Sequence, residues 1–313
     1  MSLSVRFLGT SAARPTVERN VTSIALVREG ETLLFDCGEG TQRQMMRYGV
    51  SFGLRDIFFT HFHGDHLLGV IGLLRTLGLQ GREEPMRLWG PRGAERVLRQ
   101  AVELGVERSG FPVEIRTVQP GEAIERGEYA IIPYAAEHRG QALGYALKEA
   151  ERRGRFNPAL AQELGIPEGP LWGQLHRGHS VTLEDGRTID PAVLVGPTRP
   201  GRKVVLSGDS RPAQSTVEAA QGADLLVHEA TFANEEAQRA RETGHSTAQE
   251  AAALALRAGV RTLAITHFSA RYSHDSSPLL REAKAVFPNV VCARDGMLLD
   301  VAYEAEATEP ISR

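Results

Sequence analysis

The stretch His61-Phe62-His63-Gly64-Asp65-His66 packs three histidines and an aspartate into six positions. It follows the apolar run Ile57–Thr60, which reads as a strand, and precedes Leu67–Leu79, whose apolar spacing reads as a helix. The hexapeptide therefore belongs at the carboxyl end of a strand. In an extended turn His61 and His63 project to one side, and Gly64 lets the chain reverse so that Asp65 and His66 address a second point. Zinc takes imidazole nitrogen and carboxylate oxygen at about 2.0–2.2 Å, so one hexapeptide can serve two metals. The two cysteines, Cys37 and Cys292, lie far apart without a CxxC partner, which excludes a disulfide framework and leaves any metal to His and carboxylate ligands.

Further candidates sit just past expected strand ends. His138 follows the strand Tyr129–Tyr134, Asp209 follows Val204–Ser207 in Leu-Ser-Gly-Asp-Ser210, and His267 follows Leu263–Thr266 in Ile-Thr-His-Phe268. Taken alone, His138 reads equally as a loop histidine, Asp209 as a turn or capping residue, and His267 as a core histidine. Their joint order argues for one site.

The remaining pattern frames that site. Strands are expected at Val5–Leu8, Ser23–Val27, Thr32–Asp36, Met86–Trp89, Val113–Val118, Leu143–Leu147, Leu225–Glu229, Val290–Cys292 and Met297–Val301. Helices are expected at Gly40–Tyr48, Gly93–Leu104, Ser215–Gln221, Ser246–Ala258 and Pro278–Val286, with Ser246 as a cap. Two successive mixed halves predict two sheets packed face to face with helices outside, a single α/β domain over residues 1–313. The interval 149–202 breaks the rhythm with repeated Gly and Pro, and a long irregular stretch in a compact domain is usually functional or disordered.

The net charge of −3 gives no global sign of nucleic-acid binding, so a polyanion would have to meet a local basic patch. Between Lys148 and Lys203 there are nine basic and seven acidic residues, a local excess of positive charge. No apolar run approaches the roughly 20 residues that span a bilayer, and the first residues do not form a signal peptide, so a cytoplasmic protein without membrane partner is expected.

At the level of motifs the chain resembles the metallo-β-lactamase superfamily, whose HxHxDH signature stands at residues 61–66. The resemblance implies that fold, an αββα sandwich of two mixed sheets. It implies that His61, His63 and His138 hold one zinc, that Asp65, His66 and His267 hold the other, and that Asp209 bridges them. Asp36, in Phe-Asp-Cys-Gly-Glu-Gly-Thr41, matches another superfamily motif and is expected to hold ligand histidines in one tautomer from behind.

Within the superfamily the chain is similar to the ribonuclease Z family, on Phe7–Asn20, Asp36–Gln42, His228-Glu-Ala-Thr-Phe232 and Gly244-His-Ser-Thr247. That resemblance implies a zinc-dependent endoribonuclease that removes the 3′ trailer of precursor tRNA by attack of a metal-bridging hydroxide. It would leave a 3′-hydroxyl on the tRNA and a 5′-phosphate on the trailer. Asp65 would orient the hydroxide and accept a proton. His245, oriented by Glu229, would protonate the departing oxygen, and His228 reads as structural. Two zinc ions per subunit are implied, with manganese a substitute at such sites. A homodimer is implied too, as is an inserted tRNA-binding arm at about 149–202. Arg19, Arg152, Arg153, Arg155, Gly169, Pro170 and Arg177 are the candidate RNA contacts. Val17 stands where many members place a lysine, which puts the handling of an encoded CCA end at issue. A small-molecule phosphodiesterase, acting on cyclic or nucleoside esters, would use the same metals without the arm.

Overall fold

The computed structural model describes residues 2–105 and 110–303. Its strands are β1 (Leu3–Gly9), β2 (Ser23–Arg28), β3 (Glu31–Phe35), β4 (Asp56–Phe58), β5 (Met86–Gly90), β6 (Val113–Thr117), β7 (Ile124–Glu125) and β8 (Tyr129–Ala135). They continue with β9 (Leu143–Glu149), β10 (Val181–Thr182), β11 (Thr188–Ile189), β12 (Lys203–Leu206), β13 (Leu225–Glu229), β14 (Thr262–Thr266), β15 (Val290–Cys292) and β16 (Leu298–Asp300). Two compact units result. One comprises residues 1–126, 130–148 and 202–313, and the other residues 127–129 and 149–201.

The larger unit holds two seven-stranded mixed sheets, ordered β16-β1-β2-β3-β4-β5-β6 and β15-β14-β13-β12-β9-β8-β7. Between them the rings of Phe35, Phe58 and Tyr145 meet at centroid distances of 5.1–5.7 Å. Tyr145 also donates from its hydroxyl to the Phe59 carbonyl at 2.8 Å, so this buried ring fills the interface without stranding its polar tip. On the outer faces, Met45, Val70, Leu73, Leu74 and Leu98 pack on the first sheet. Ala251, Ala252, Ala255, Leu279 and Ala283 pack on the second. This is the metallo-β-lactamase sandwich expected from the sequence.

Helix Ala248–Ala258 shows how local chemistry sets an element. Its alanine-rich sequence suits a helix, Thr247 and Glu250 form a reciprocal capping box, and Gly259 ends it at φ 62°. The cap is Thr247, not Ser246 as the sequence suggested, because the Ser246 hydroxyl is committed to the Ser210 carbonyl at 2.6 Å. The chain reversal expected at Gly64 is instead the first turn of a helix, Gly64–Leu67. A helical segment at Ala237–Thr243 was not foreseen.

The smaller unit corrects the picture of an irregular interval. It carries helices Pro158–Glu163, Pro170–His176 and Pro191–Leu194 and the β10–β11 hairpin. Each helix opens on proline, whose fixed φ and missing N–H suit the first turn. Ala161, Ile166, Leu175, Val181 and Leu194 form a small core of their own. The ends are tied by reciprocal backbone hydrogen bonds between Arg152 and Arg199, 2.7 and 2.8 Å. Among the described residues no helix is long and apolar enough to cross a membrane.

Candidate metal centre

The expected ligands converge from strand ends in two groups that share one residue. His61, His63, His138 and Asp209 form the first, and Asp65, His66, Asp209 and His267 the second. Asp209 turns Oδ2 toward His61 Nε2 at 3.7 Å and Oδ1 toward His66 Nε2 at 3.3 Å and His267 Nε2 at 3.2 Å. Asp65 Oδ2 lies 3.5 Å from His66 Nε2 and 3.4 Å from His267 Nε2. His63 Nδ1 lies 2.9 Å from His61 Nε2 and 3.4 Å from His138 Nε2.

The tautomers follow from the groups behind the rings. Thr60 has one hydroxyl proton, and gives it to Asp36 Oδ2 at 2.8 Å, so it must accept from His61 Nδ1 at 3.0 Å. Thr231 likewise donates to Glu229 Oε2 at 2.6 Å and accepts from His267 Nδ1 at 3.0 Å. His66 Nδ1 donates to Asp36 Oδ2 at 2.7 Å, and His138 Nδ1 to the Gly244 carbonyl at 2.8 Å. In neutral rings the Nε2 lone pairs of all four histidines then point inward, those of His66 and His267 at the carboxylate oxygens of Asp65 and Asp209 and those of His61 and His138 toward His63 Nδ1.

Such a set is electron-rich and wants cations. His66 Nε2 and Asp209 Oδ1 are buried without a hydrogen-bond partner, a costly arrangement in a low-dielectric interior unless a cation satisfies both. Two ligands of a tetrahedral zinc stand about 3.3 Å apart, given bonds of about 2.0–2.1 Å. The separations here, 2.9–3.7 Å, bracket that value, so the residues fit the metals that the fold implies. In the protein alone, burial opposes a charge on His66. The carboxylates of Asp209, Asp36 and Asp65 override this and push its pKa well above the usual range, a proton answering part of the same demand. Burial would likewise raise the pKa of Asp209, but His267, His66 and His61 hold it well below the usual carboxylate range.

The backbone is bent to serve the site. Asp36 and His267 adopt φ 55° and 58°, uncommon for residues with a side chain and a form of strain that clusters at functional positions. Gly208, at φ 60°, brings the loop so close to Thr60 that an added Cβ would lie 2.8 Å from its side chain.

Beside the two groups, His245 Nδ1 lies 2.9 Å from Glu229 Oε1. Burial disfavours the charged ring, yet Glu229, with Asp209 and Asp65 beyond it, pushes the His245 pKa up to about 9. Glu229 is itself fixed by the backbone N–H groups of Ser210 at 2.9 Å and Ser246 at 3.1 Å. His228 is buried, with Nδ1 2.7 Å from the Glu229 carbonyl oxygen.

One expected RNA contact is overturned. Arg19 is buried, and its guanidinium donates to Thr10 Oγ1, Ser276 Oγ and the carbonyls of Ala293 and Ser273 at 2.8–3.3 Å. Those donors anchor the Gly9–Asn20 loop from beneath and are not available to a phosphate. In the smaller unit Arg153, Arg155, Gly169, Pro170 and Arg177 are exposed and Arg152 half-buried. Val17 is 98 % exposed, at the tip of its loop. Sequence reasoning passed over Thr60 and Thr231, although each lies in or beside a quoted motif. It also missed the Ala13 N–H, which donates to Asp65 Oδ2 at 2.7 Å.

Comparison with known proteins agrees with this geometry. A family model for the beta-lactamase superfamily domain matches residues 174–268, and one for anti-Pycsar protein Apyc1 matches residues 3–122. Ribonuclease Z of Gemmatimonas aurantiaca is 62% identical over 311 residues, covering 99% of both chains. Ribonuclease Z of Myxococcus xanthus is 53% identical, covering 96% of this chain and 98% of its own. The crystal structure of human tRNase Z, short form, superposes with a TM-score of 0.69 at 26% identity, over 96% of this chain and 100% of that one. With relatives of this identity over nearly its full length, the chain belongs to the ribonuclease Z family, metal-dependent phosphodiester hydrolases of the metallo-β-lactamase fold.

Proposed function

We propose that this protein removes the 3′ trailer of precursor tRNA in the cytoplasm, using two zinc ions per subunit. The tRNA would keep a 3′-hydroxyl and the trailer would carry a 5′-phosphate. The observation that carries the reading is Asp209, whose two carboxylate oxygens face two separate histidine groups. His61, His63 and His138 would hold one cation, Asp65, His66 and His267 the other, with Asp209 common to both. Bound there, two divalent cations supply Lewis acidity toward the phosphate and lower the pKa of water.

The chain's own residues do the rest. Asp36, Thr60, Thr231 and the Gly244 carbonyl keep the ligand rings in one tautomer, which preserves their Nε2 lone pairs. Asp65, oriented by the Ala13 N–H, aligns the attacking water and accepts its proton. His245 is held by Glu229 through Nδ1, so Nε2 is the atom that gives a proton to the departing 3′ oxygen. The Glu229 carboxylate beside it favours the charged ring, the form that has a proton to give. Arg152, Arg153, Arg155, Gly169, Pro170 and Arg177 would contact tRNA from the smaller unit. The protein would act as a homodimer, with manganese able to replace zinc.

The test is an analysis of product ends beside a small cyclic phosphodiester as competitor substrate. Zinc-loaded protein should release tRNA with a 3′-hydroxyl and trailer with a 5′-phosphate, at a kcat/KM far above that for the small ester. Preference for the small ester, or a 2′,3′-cyclic end on the tRNA, would replace this reading with a small-molecule phosphodiesterase or a different chemistry.

A further inference from the structure

Arg211, two residues after Asp209, sits among three loops that each carry a site residue. Its Nη1 donates to the His245 carbonyl at 2.6 Å, and Nη1 and Nη2 donate to the two carboxylate oxygens of Glu250 at 2.8 and 2.6 Å. Its backbone N–H donates to the Glu137 carbonyl at 2.7 Å, next to His138. Glu250 does not swing freely, because it also accepts from the Thr247 N–H at 2.9 Å in the capping box. The guanidinium thus spans from the cap of helix Ala248–Ala258 to the carbonyl of the residue read as the acid. Ser246 completes the tie, donating from its hydroxyl to the Ser210 carbonyl at 2.6 Å and from its N–H to Glu229 at 3.1 Å.

We propose that Arg211 is a positioning residue for the protonation of the leaving group, holding the His245 backbone so that the imidazole stays seated against Glu229. The inference rests on the reading of His245 as the acid. In that step the bond from phosphorus to the 3′ oxygen breaks as the bond from water oxygen to phosphorus forms. The His245 Nε2 proton passes to the 3′ oxygen, and the neutral ring regains a proton from solvent. A planar fork is needed, since one group must satisfy a bidentate carboxylate and a carbonyl together, and a lysine ammonium cannot match that geometry. Arg211 reaches no reacting atom itself, so its effect must pass through His245.

The experiment compares Arg211→Met, Arg211→Lys, His245→Ala and the Arg211→Met/His245→Ala double variant on precursor tRNA and on bis-p-nitrophenyl phosphate, whose nitrophenolate departs without needing a proton. Zinc content and melting temperature accompany each variant, and Arg211→Lys keeps the charge should Arg211→Met fold poorly. Arg211→Met should lower kcat on tRNA about tenfold or more with KM changed less than about twofold, so the ratio of tRNA to ester rates falls. Arg211→Lys should fall between. In the His245→Ala background Arg211→Met should cost nothing more. Equal losses on both substrates, or an additive loss in the double variant, would make Arg211 an ordinary strut and overturn the inference while leaving His245 as the acid. If His245→Ala itself left tRNA turnover intact, the acid assignment would fall and the inference with it.

Discussion

Thr60 and Thr231 each own one hydroxyl proton, give it to a carboxylate, and accept from a histidine of the cluster in return. Thr231→Val keeps the shape and removes both contacts, so metal affinity should fall roughly 10–100-fold in chelator competition, whereas Thr231→Ser should retain it. An unchanged affinity in the valine variant would show that the hydroxyl does not set the His267 tautomer. The pH dependence belongs at this scale too. His245 is protonated below a pKa raised to about 9, so turnover that needs its proton declines as pH rises through that limb. Cations neutralising Asp209 and Asp65 would leave Glu229 as the main source of the upward shift, so the loaded enzyme's limb should lie lower. Glu229→Gln should move the alkaline limb of kcat to still lower pH, and a limb that stays put would assign it to another group. The convergence of these histidines and aspartates was legible in the sequence because such residues at loop positions carry their chemistry in their identity. The threonines were not, since a hydroxyl's role depends on which neighbour takes its proton. Arg19 was misread for a related reason: charge invites a phosphate, but only packing shows that the charge is enclosed.

Elements were legible where periodicity was strong and ambiguous at their ends. The strand at Leu225–Glu229 stands where its apolar run put it, while helix Ala248–Ala258 is capped one residue later than expected. Ser246 and Thr247 are equally good capping residues by type, and the choice was made by Ser210, 36 positions away, which engages the Ser246 hydroxyl. Thr247→Ala should therefore cost about 1 kcal/mol of stability, read as a lowered denaturant midpoint at unchanged slope. Ser246→Ala should leave the cap whole. If the two variants were equally destabilised, or their order reversed, this assignment of the cap would be wrong. The turn Gly64–Leu67 went unread because four residues are too few to show a helical period.

For the molecule as a whole, the alternation of apolar strands and helices was enough to predict two sheets with helices outside, because each sheet must cover both faces. The interval 149–202 was set apart by its Gly and Pro content, yet its helices and core stayed hidden, since segments of four to seven residues lack a readable pattern. The backbone pairing of Arg152 with Arg199 makes excision of about residues 153–198 with a short linker feasible. If the exposed arginines there meet phosphates, the shortened protein should bind precursor tRNA more weakly, with a flatter salt dependence, and still hydrolyse a small ester. Unchanged tRNA affinity would remove the smaller unit from recognition. The measurement that tests the account most directly is cleavage of end-labelled precursor tRNA, with and without an encoded CCA, by protein stripped of metal and then reloaded with zinc. One discrete cut near the discriminator base or after CCA is expected, absent from the stripped protein and restored by zinc. Cutting that survives removal of the metal, or no cut on either precursor after reloading, would contradict it.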